Sequence, residues 1–317
     1  MFCNGVLNRR KVGVVSFFDY FCVLLLFAGL LTHPVFAKPR IGLLATDLSV
    51  YEYETEWFAK FGGLATQLDV DLVTIDYNLI YSDYLRGRKS VPLVTLLERE
   101  LQAKGVNKVI IPGDYYNLDK PPFSPVQNRR RVTDAMVKLR NEGKVSIFAI
   151  CGGMQQTLDS DGIRIVDLSR IGITESHSRI SDDSTNYGAR GVFNTLLKKV
   201  MINPSSKIAS IISDVSVEVT PNGWLVLYLP EWHLEGVDLD KGNLKVLREA
   251  GYNIVGFSED GVIEVLEDKY GNFYFQSHPE NLLLRLTQEE LMQLPLGIRK
   301  SAEAVKKLFS YFVTATV

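Results

Sequence analysis

The sequence predicts an α/β fold built on a doubly wound, mainly parallel central sheet flanked by helices, with a C-terminal β-hairpin region. Three observations carry this expectation. From Arg40 to Glu142, short apolar runs alternate with segments that are apolar at helical spacing. Two of the runs break abruptly into glycine, at Pro112-Gly113 and at Gly152-Gly153, where a buried strand would leave the sheet. Beyond Ser216, short strand-like runs are separated by turn residues, and Tyr270-Gly271 sits between the last two, so that these read as a hairpin.

Residues 1–37 have the three parts of an export signal. They are the basic Arg9-Arg10-Lys11, an apolar stretch that culminates in Phe21 to Leu31, and Val35-Phe36-Ala37 ahead of Lys38. The stretch from Val12 to Leu31 also approaches the roughly 20 residues that a membrane-spanning helix needs, with Asp19 interrupting it. The expectation is a cleaved leader and an exported, periplasmic or secreted chain from 38 to 317, the alternative being an uncleaved anchor over residues 12–31. Membrane attachment follows only from the second case.

The elements then read in order. Arg40–Thr46 is a buried strand, Tyr53–Gln67 a helix and Asp71–Ile75 the next strand. Leu93–Lys104 is a helix leading to the Val109 strand, and Asn128–Glu142 a helix leading to the strand before Cys151. Further strands are expected at Ser216–Val219, Trp224–Tyr228, Asn253–Phe257, Val262–Leu266 and Phe273–Gln276. The tail from Thr287 is an amphipathic helix broken near Pro295. Asp76–Pro92 and Ser169–Gly191 resist assignment and read as long loops, either lids and recognition surfaces or plain surface excursions.

A formal net charge of −2 on 317 residues offers nothing to nucleic acid. Cys151 is the one cysteine outside the leader, so an exported chain would hold no intramolecular disulfide. A lone thiol in an oxidising compartment is either used for its chemistry or buried as a small apolar group. No metal is expected, because the scattered histidines show no zinc-ligand spacing.

Cys151 lies in Val145-Ser-Ile-Phe-Ala-Ile-Cys-Gly-Gly-Met-Gln155, an apolar run that breaks into glycines. A nucleophile there stands on a tight strand-to-helix bend, with free helix N–H groups and the positive dipole end aimed at the sulfur. Far downstream, Phe273-Tyr-Phe-Gln-Ser-His-Pro-Glu280 places a histidine and then a carboxylate after another apolar run. An imidazole draws the proton from a thiol that is otherwise mostly protonated at neutral pH, and a carboxylate fixes the imidazole tautomer. Cys151, His278 and Glu280 are therefore the candidate nucleophile, base and orienting acid. Gly152 and Gly113 are the candidate oxyanion donors, the second from Val109-Ile-Ile-Pro-Gly-Asp114, a pattern that also reads as an ordinary turn.

Phe148-Ala-Ile-Cys-Gly-Gly-Met-Gln155 and Gln276-Ser-His-Pro-Glu280 resemble the two signatures of class I glutamine amidotransferase-like proteins, nearest the gamma-glutamyl-gamma-aminobutyrate hydrolases and gamma-glutamyl hydrolases. The resemblance runs from about Arg40 to Glu280 and implies a flavodoxin-like sheet. It implies that Cys151, His278 and Glu280 form the triad and that Pro112-Gly113 is the oxyanion loop. Ser258–Leu266 resembles the strand pair before the final histidine, and Trp232-His233 resembles paired histidines of that branch, one of which is present here. His233 then touches substrate or is a surface histidine near a strand end, while Asp114 and Gln155 join the pocket as substrate-binding candidates. Asp114 replaces a common second glycine, and Thr157-Leu-Asp-Ser-Asp-Gly162 follows the nucleophile helix where a second glycine pair is usual.

The resemblance implies hydrolysis of gamma-glutamyl amide bonds, of a small molecule or peptide, through a glutamyl thioester and without a cofactor. Two other functions fit the same residues: the glutaminase component of an amidotransferase that needs a synthetase partner, and a non-catalytic protein that binds gamma-glutamyl compounds. His177, in the second long loop, reads as a loop residue.

Overall fold

Among the described residues twelve short segments form strands, and in the central ones the side chains alternate between two buried faces. In the computed structural model the described residues are 38–45, 61–87, 90–113, 118, 126–175, 177–178, 196–284 and 286–315. The leader, residues 53–60 of the first expected helix, Asp114 and residues 179–191 of the second long loop lie outside them.

The strands are β1 Arg40–Leu44, β2 Asp71–Ile75, β3 Lys108–Ile111, β4 Ser146–Ile150, β5 Ile165–Asp167, β6 Leu196–Ile202, β7 Glu218–Val219, β8 Leu225–Glu231, β9 Glu235–Val237, β10 Tyr252–Ser258, β11 Ile263–Asp268 and β12 Phe273–Phe275. Ten of them form one sheet in the order β2-β1-β3-β4-β12-β11-β10-β6-β8-β7, and β5 pairs with β9 in a small second sheet. The first five strands of that order run parallel. From β12 onwards every neighbour is antiparallel, with the expected hairpin at β11–β12 continued through β10, β6, β8 and β7.

Along β4 the alternation is visible residue by residue. Phe148 and Ile150 enter one core layer, and Ile147 and Ala149 the other. The first layer is closed by the helical residues 61–67 and by the C-terminal helix Leu296–Thr314. The second is closed by the helices Tyr77–Arg86, Leu93–Lys104, Gln127–Asn141, Gly152–Ser160 and Lys241–Glu249. Among the described residues no helix is long and apolar enough to cross a membrane.

Asp76–Pro92 is mostly helix rather than loop. Asp76 caps it, its carboxylate accepting from the N–H groups of Asn78 and Leu79 at 2.9 and 3.0 Å. Its apolar stripe is thin, since Tyr77 and Ile80 are buried while Leu79 and Leu85 face solvent. That weak periodicity hides the helix in the sequence. Ser169–Gly191 opens on the short helix Leu168–Ile171, and the strand Ile165–Asp167 just before it passes unnoticed in the sequence at three residues long.

The chain order β1 to β2 and β1 to β3 reverses direction between β1 and β3. Ligands of such sheets collect beyond the strand carboxyl ends at this reversal. Gly113 follows β3, Cys151 follows β4 and His278 follows β12 at that same edge.

Candidate active site

Cys151 ends β4 and caps the helix Gly152–Ser160 with φ 50° and ψ −116°. A side chain with positive φ costs about 1–3 kcal/mol and persists only where the surroundings hold it. Here the Cys151 N–H donates to the Phe275 carbonyl at 2.6 Å, and its carbonyl accepts from the Gln155 N–H at 3.0 Å. The bend requires Gly153, because a Cβ there would stand 2.2 Å from the Ile111 carbonyl oxygen. The Cys151 Sγ lies 3.7 Å from the Trp232 carbonyl oxygen.

His278 faces the sulfur. Its Nδ1 lies 2.7 Å from Glu280 Oε1, leaving Nε2 toward Cys151, and its backbone N–H donates to the Pro230 carbonyl at 2.7 Å. Glu280 is fully buried. Burial alone would lower the His278 pKa, but the Cys151 sulfur and the Glu280 carboxylate outweigh it and raise the group from 6.5 to about 10. The imidazolium is thus the resting form over the neutral range.

Gly113 completes the group. A Cβ at this position would lie 3.0 Å from His278 Cε1 and 3.5 Å from Cys151 Cβ, so the bare backbone is what lets the loop approach both. The loop is held from below by Arg129, fully buried, whose Nη2 donates to the Pro112 carbonyl at 2.6 Å and whose Nη1 donates to Gln156 Oε1 at 2.9 Å. The first turn of the helix Gly152–Ser160 leaves its leading N–H groups, Gly152 first, without intrahelical acceptors at the same spot.

The structure therefore brings together Cys151, His278, Glu280, Gly113 and Gly152. Asp114 lies outside the described residues. Gln155 is buried and engaged in packing contacts, its Nε2 donating to the Glu235 carbonyl at 3.0 Å and to Gln276 Oε1 at 3.2 Å. These bonds tie the helix Gly152–Ser160 to β9 and to the chain just before His278.

His233 is 5% exposed, which rules out the surface histidine that the sequence leaves open. Burial lowers its pKa, and its Nδ1 donates to the Glu235 carbonyl at 3.0 Å. His177 sits outside helix and strand, as read, and is buried between Glu231 and Asp260. Burial and the nearby Glu264 raise the pKa of Glu231. His177, Glu231, His233 and Glu264 form one cluster whose ligating atoms lie within 4.8 Å of one another.

Sequence spacing does not reveal this cluster, because its members come from a loop, β8, the β8–β9 turn and β11. A weak signal does exist: Glu231 ends the apolar strand Leu225–Glu231, and Glu264 stands between Ile263 and Val265. Arg129 and Trp232 leave no such signal.

No family model matches the chain. It is 25% identical over 151 residues to the CTP synthase of Sulfurisphaera tokodaii, a match over 45% of this chain that spans 27% of that protein's length. Among solved structures it is similar to the glutaminase domain of Trypanosoma brucei CTPS with bound acivicin, with 15% identity, a TM-score of 0.52 and coverage of 88% and 95% of the two chains. It is likewise similar to a glutamine amidotransferase from Thermotoga maritima, with 10% identity, a TM-score of 0.51 and coverage of 88% and 99%. These likenesses establish the fold, a central sheet with a five-stranded parallel half, flanked by helices.

Proposed function

We propose that the chain hydrolyses the side-chain amide of glutamine through Cys151. The observation that carries this reading is the meeting of Cys151, His278 and Gly113 at one sheet edge, in a fold shared with a glutaminase domain. The sulfur attacks the amide carbon, and the oxygen takes up negative charge against the backbone N–H groups of Gly113 and Gly152. His278 passes its proton to the departing nitrogen, and the C–N bond breaks to give ammonia and a glutamyl thioester. Neutral His278 then takes a proton from water, which attacks the thioester and returns the electron pair to sulfur, releasing glutamate. Glu280 holds the ring through Nδ1 and stabilises its charged form throughout.

The match to CTP synthase supports a synthetase partner as the recipient of the ammonia. A second reading is a free-standing, exported hydrolase of gamma-glutamyl amide bonds, which the leader-like pattern of residues 1–37 supports. Both readings use the same covalent step and differ in where the nitrogen goes.

The test is to incubate the full chain, and the chain beginning at Lys38, with glutamine and a panel of gamma-glutamyl amides while following glutamate and ammonia, with Cys151→Ala as the control. Turnover of glutamine by the parent and not by the variant supports the first reading. Selective turnover of gamma-glutamyl amides, together with an exported product whose intact mass begins at Lys38, supports the second. If neither substrate turns over and acivicin leaves Cys151 unlabelled, both fail and a binding role takes their place.

A further inference from the structure

We infer that His177, Glu231, His233 and Glu264 form a structural site for one divalent transition-metal ion of the zinc class. The inference is independent of the glutaminase reading, because no atom of the cluster takes part in the steps proposed at Cys151.

The first support is ligand geometry. His177 Nδ1 lies 2.6 Å from Glu231 Oε2 and 3.7 Å from Glu264 Oε1, while His233 Nε2 lies 3.8 Å and 3.5 Å from the same two oxygens. Four ligands at zinc bond lengths of about 2.0–2.1 Å in a tetrahedron are about 3.3 Å apart, close to the centre of that range. The four side chains converge on a common point.

The second support is that the converging atoms lack hydrogen-bond partners. His177 Nδ1, His233 Nε2 and both carboxylate oxygens of Glu231 and of Glu264 are buried without a hydrogen bond, even where they approach closely. Buried polar atoms left unpaired cost about 1–3 kcal/mol each, more when charged, and even with His177 Nδ1 set against Glu231 Oε2 at 2.6 Å the oxygens of Glu264 and the His233 Nε2 remain. One dication bound by two carboxylates and two imidazoles would satisfy all four side chains and neutralise the formal charge.

The third support lies behind the ligands. His177 presents its other nitrogen, Nε2, to Asp260 Oδ2 at 2.8 Å, and Asp260 also accepts from Ser258 Oγ at 2.5 Å and from Lys198 Nζ at 3.2 Å. His233 presents its other nitrogen to the Glu235 carbonyl. Metal-bound histidines are oriented in this way, one nitrogen on the metal and the other on a carboxylate or backbone carbonyl. With four protein ligands the site is closed, which marks it as structural. It clasps the His177 segment to β8 and β11, reinforced by the His233 N–H donating to the His177 carbonyl at 3.1 Å. It also fixes Pro230 to Trp232, whose carbonyls meet the His278 N–H and the Cys151 sulfur.

The deciding experiment is elemental analysis of the full, untagged chain purified without chelator, followed by replacement of the metal with cobalt(II). About one zinc-class ion per chain, and cobalt uptake that produces the ligand-field spectrum of a four-coordinate nitrogen and oxygen site, is the expected result. Cys151→Ala should keep the metal and the spectrum. Glu264→Gln should lose the metal, and Asp260→Asn should weaken binding about 10–100-fold while leaving all four ligands in place. A parent chain that carries no stoichiometric ion and takes up neither zinc nor cobalt on dialysis overturns the site, as does uptake that persists unchanged in a His233→Ala, Glu264→Gln double variant. The parent's cobalt spectrum needs no variant to fold.

Discussion

At the scale of single residues, the candidate chemistry depends on a charge arrangement that can be titrated. His278 is raised to about 10 by Cys151 first and Glu280 second, against its burial. A group raised on folding stabilises the fold fully below its unfolded value of 6.5, and that contribution is lost as pH rises through about 10. NMR of the imidazole should therefore follow a proton that leaves only in strongly alkaline solution, with turnover falling over the same range. In Cys151→Ala the same resonance should titrate at lower pH, because the largest raising interaction is gone; an unmoved midpoint would break the link between the two groups. Glu280→Gln removes the charge behind Nδ1, so kcat should fall on the order of 10³-fold or more with little change in KM.

At the scale of elements, two contacts decide whether the site is assembled. The helix Gly152–Ser160 crosses β3 so closely that Gly153→Ala would drive a methyl group into the Ile111 carbonyl. Backbone cannot yield as a side chain does, so the variant should lose about 3 kcal/mol or more in denaturant melts and most of its activity, since the helix must lift away from Cys151. Arg140 is the second. Buried on Gln127–Asn141, it donates to the hydroxyls of Tyr252 and Tyr274 and pairs with Asp161 at 2.5 Å and Asp268 at 3.6 Å, joining that helix to the end of the helix Gly152–Ser160 and to β10, β11 and β12. Burial opposes its charge, but the tyrosines and Asp161 more than compensate and raise its pKa. Arg140→Met leaves Asp161 and Asp268 without their cation and should cost about 3–5 kcal/mol, measured by urea unfolding.

At the scale of the whole molecule, Phe148 links the central strand to the C-terminal helix. Its ring stacks on Phe309 at 4.5 Å and on Phe275 at 5.4 Å and meets Phe312 edge-on at 5.6 Å. Phe148→Ala should destabilise by about 3–5 kcal/mol in a thermal or denaturant melt, and a loss below about 1 kcal/mol would mean that the helix packs without it.

Much of this architecture was legible in the amino-acid order. Leu93–Lys104 has its helix bounds as read, and β1, β2 and the strand before Cys151 follow their apolar runs, because strongly periodic or continuously apolar segments report burial directly. Cys151-Gly152-Gly153 and His278-Pro279-Glu280 were legible for another reason: bend, base and carboxylate are close in sequence, and local spacing fixes local geometry. The helix after Asp76 was not, since its partly exposed surface leaves little apolar rhythm. Nor were Arg129 beneath the Pro112-Gly113 loop and the cluster of His177, Glu231, His233 and Glu264. Arg129 meets Pro112 and Gln156 from two other elements of the parallel half, and the cluster depends on side chains, 83 positions apart for His177 and Asp260, that meet only when the antiparallel half of the sheet closes. Sequence determined the elements and the local halves of the site, while tertiary structure alone decided which distant charges share one buried space, because burial and proximity are properties of the packed sheet and not of any segment in it.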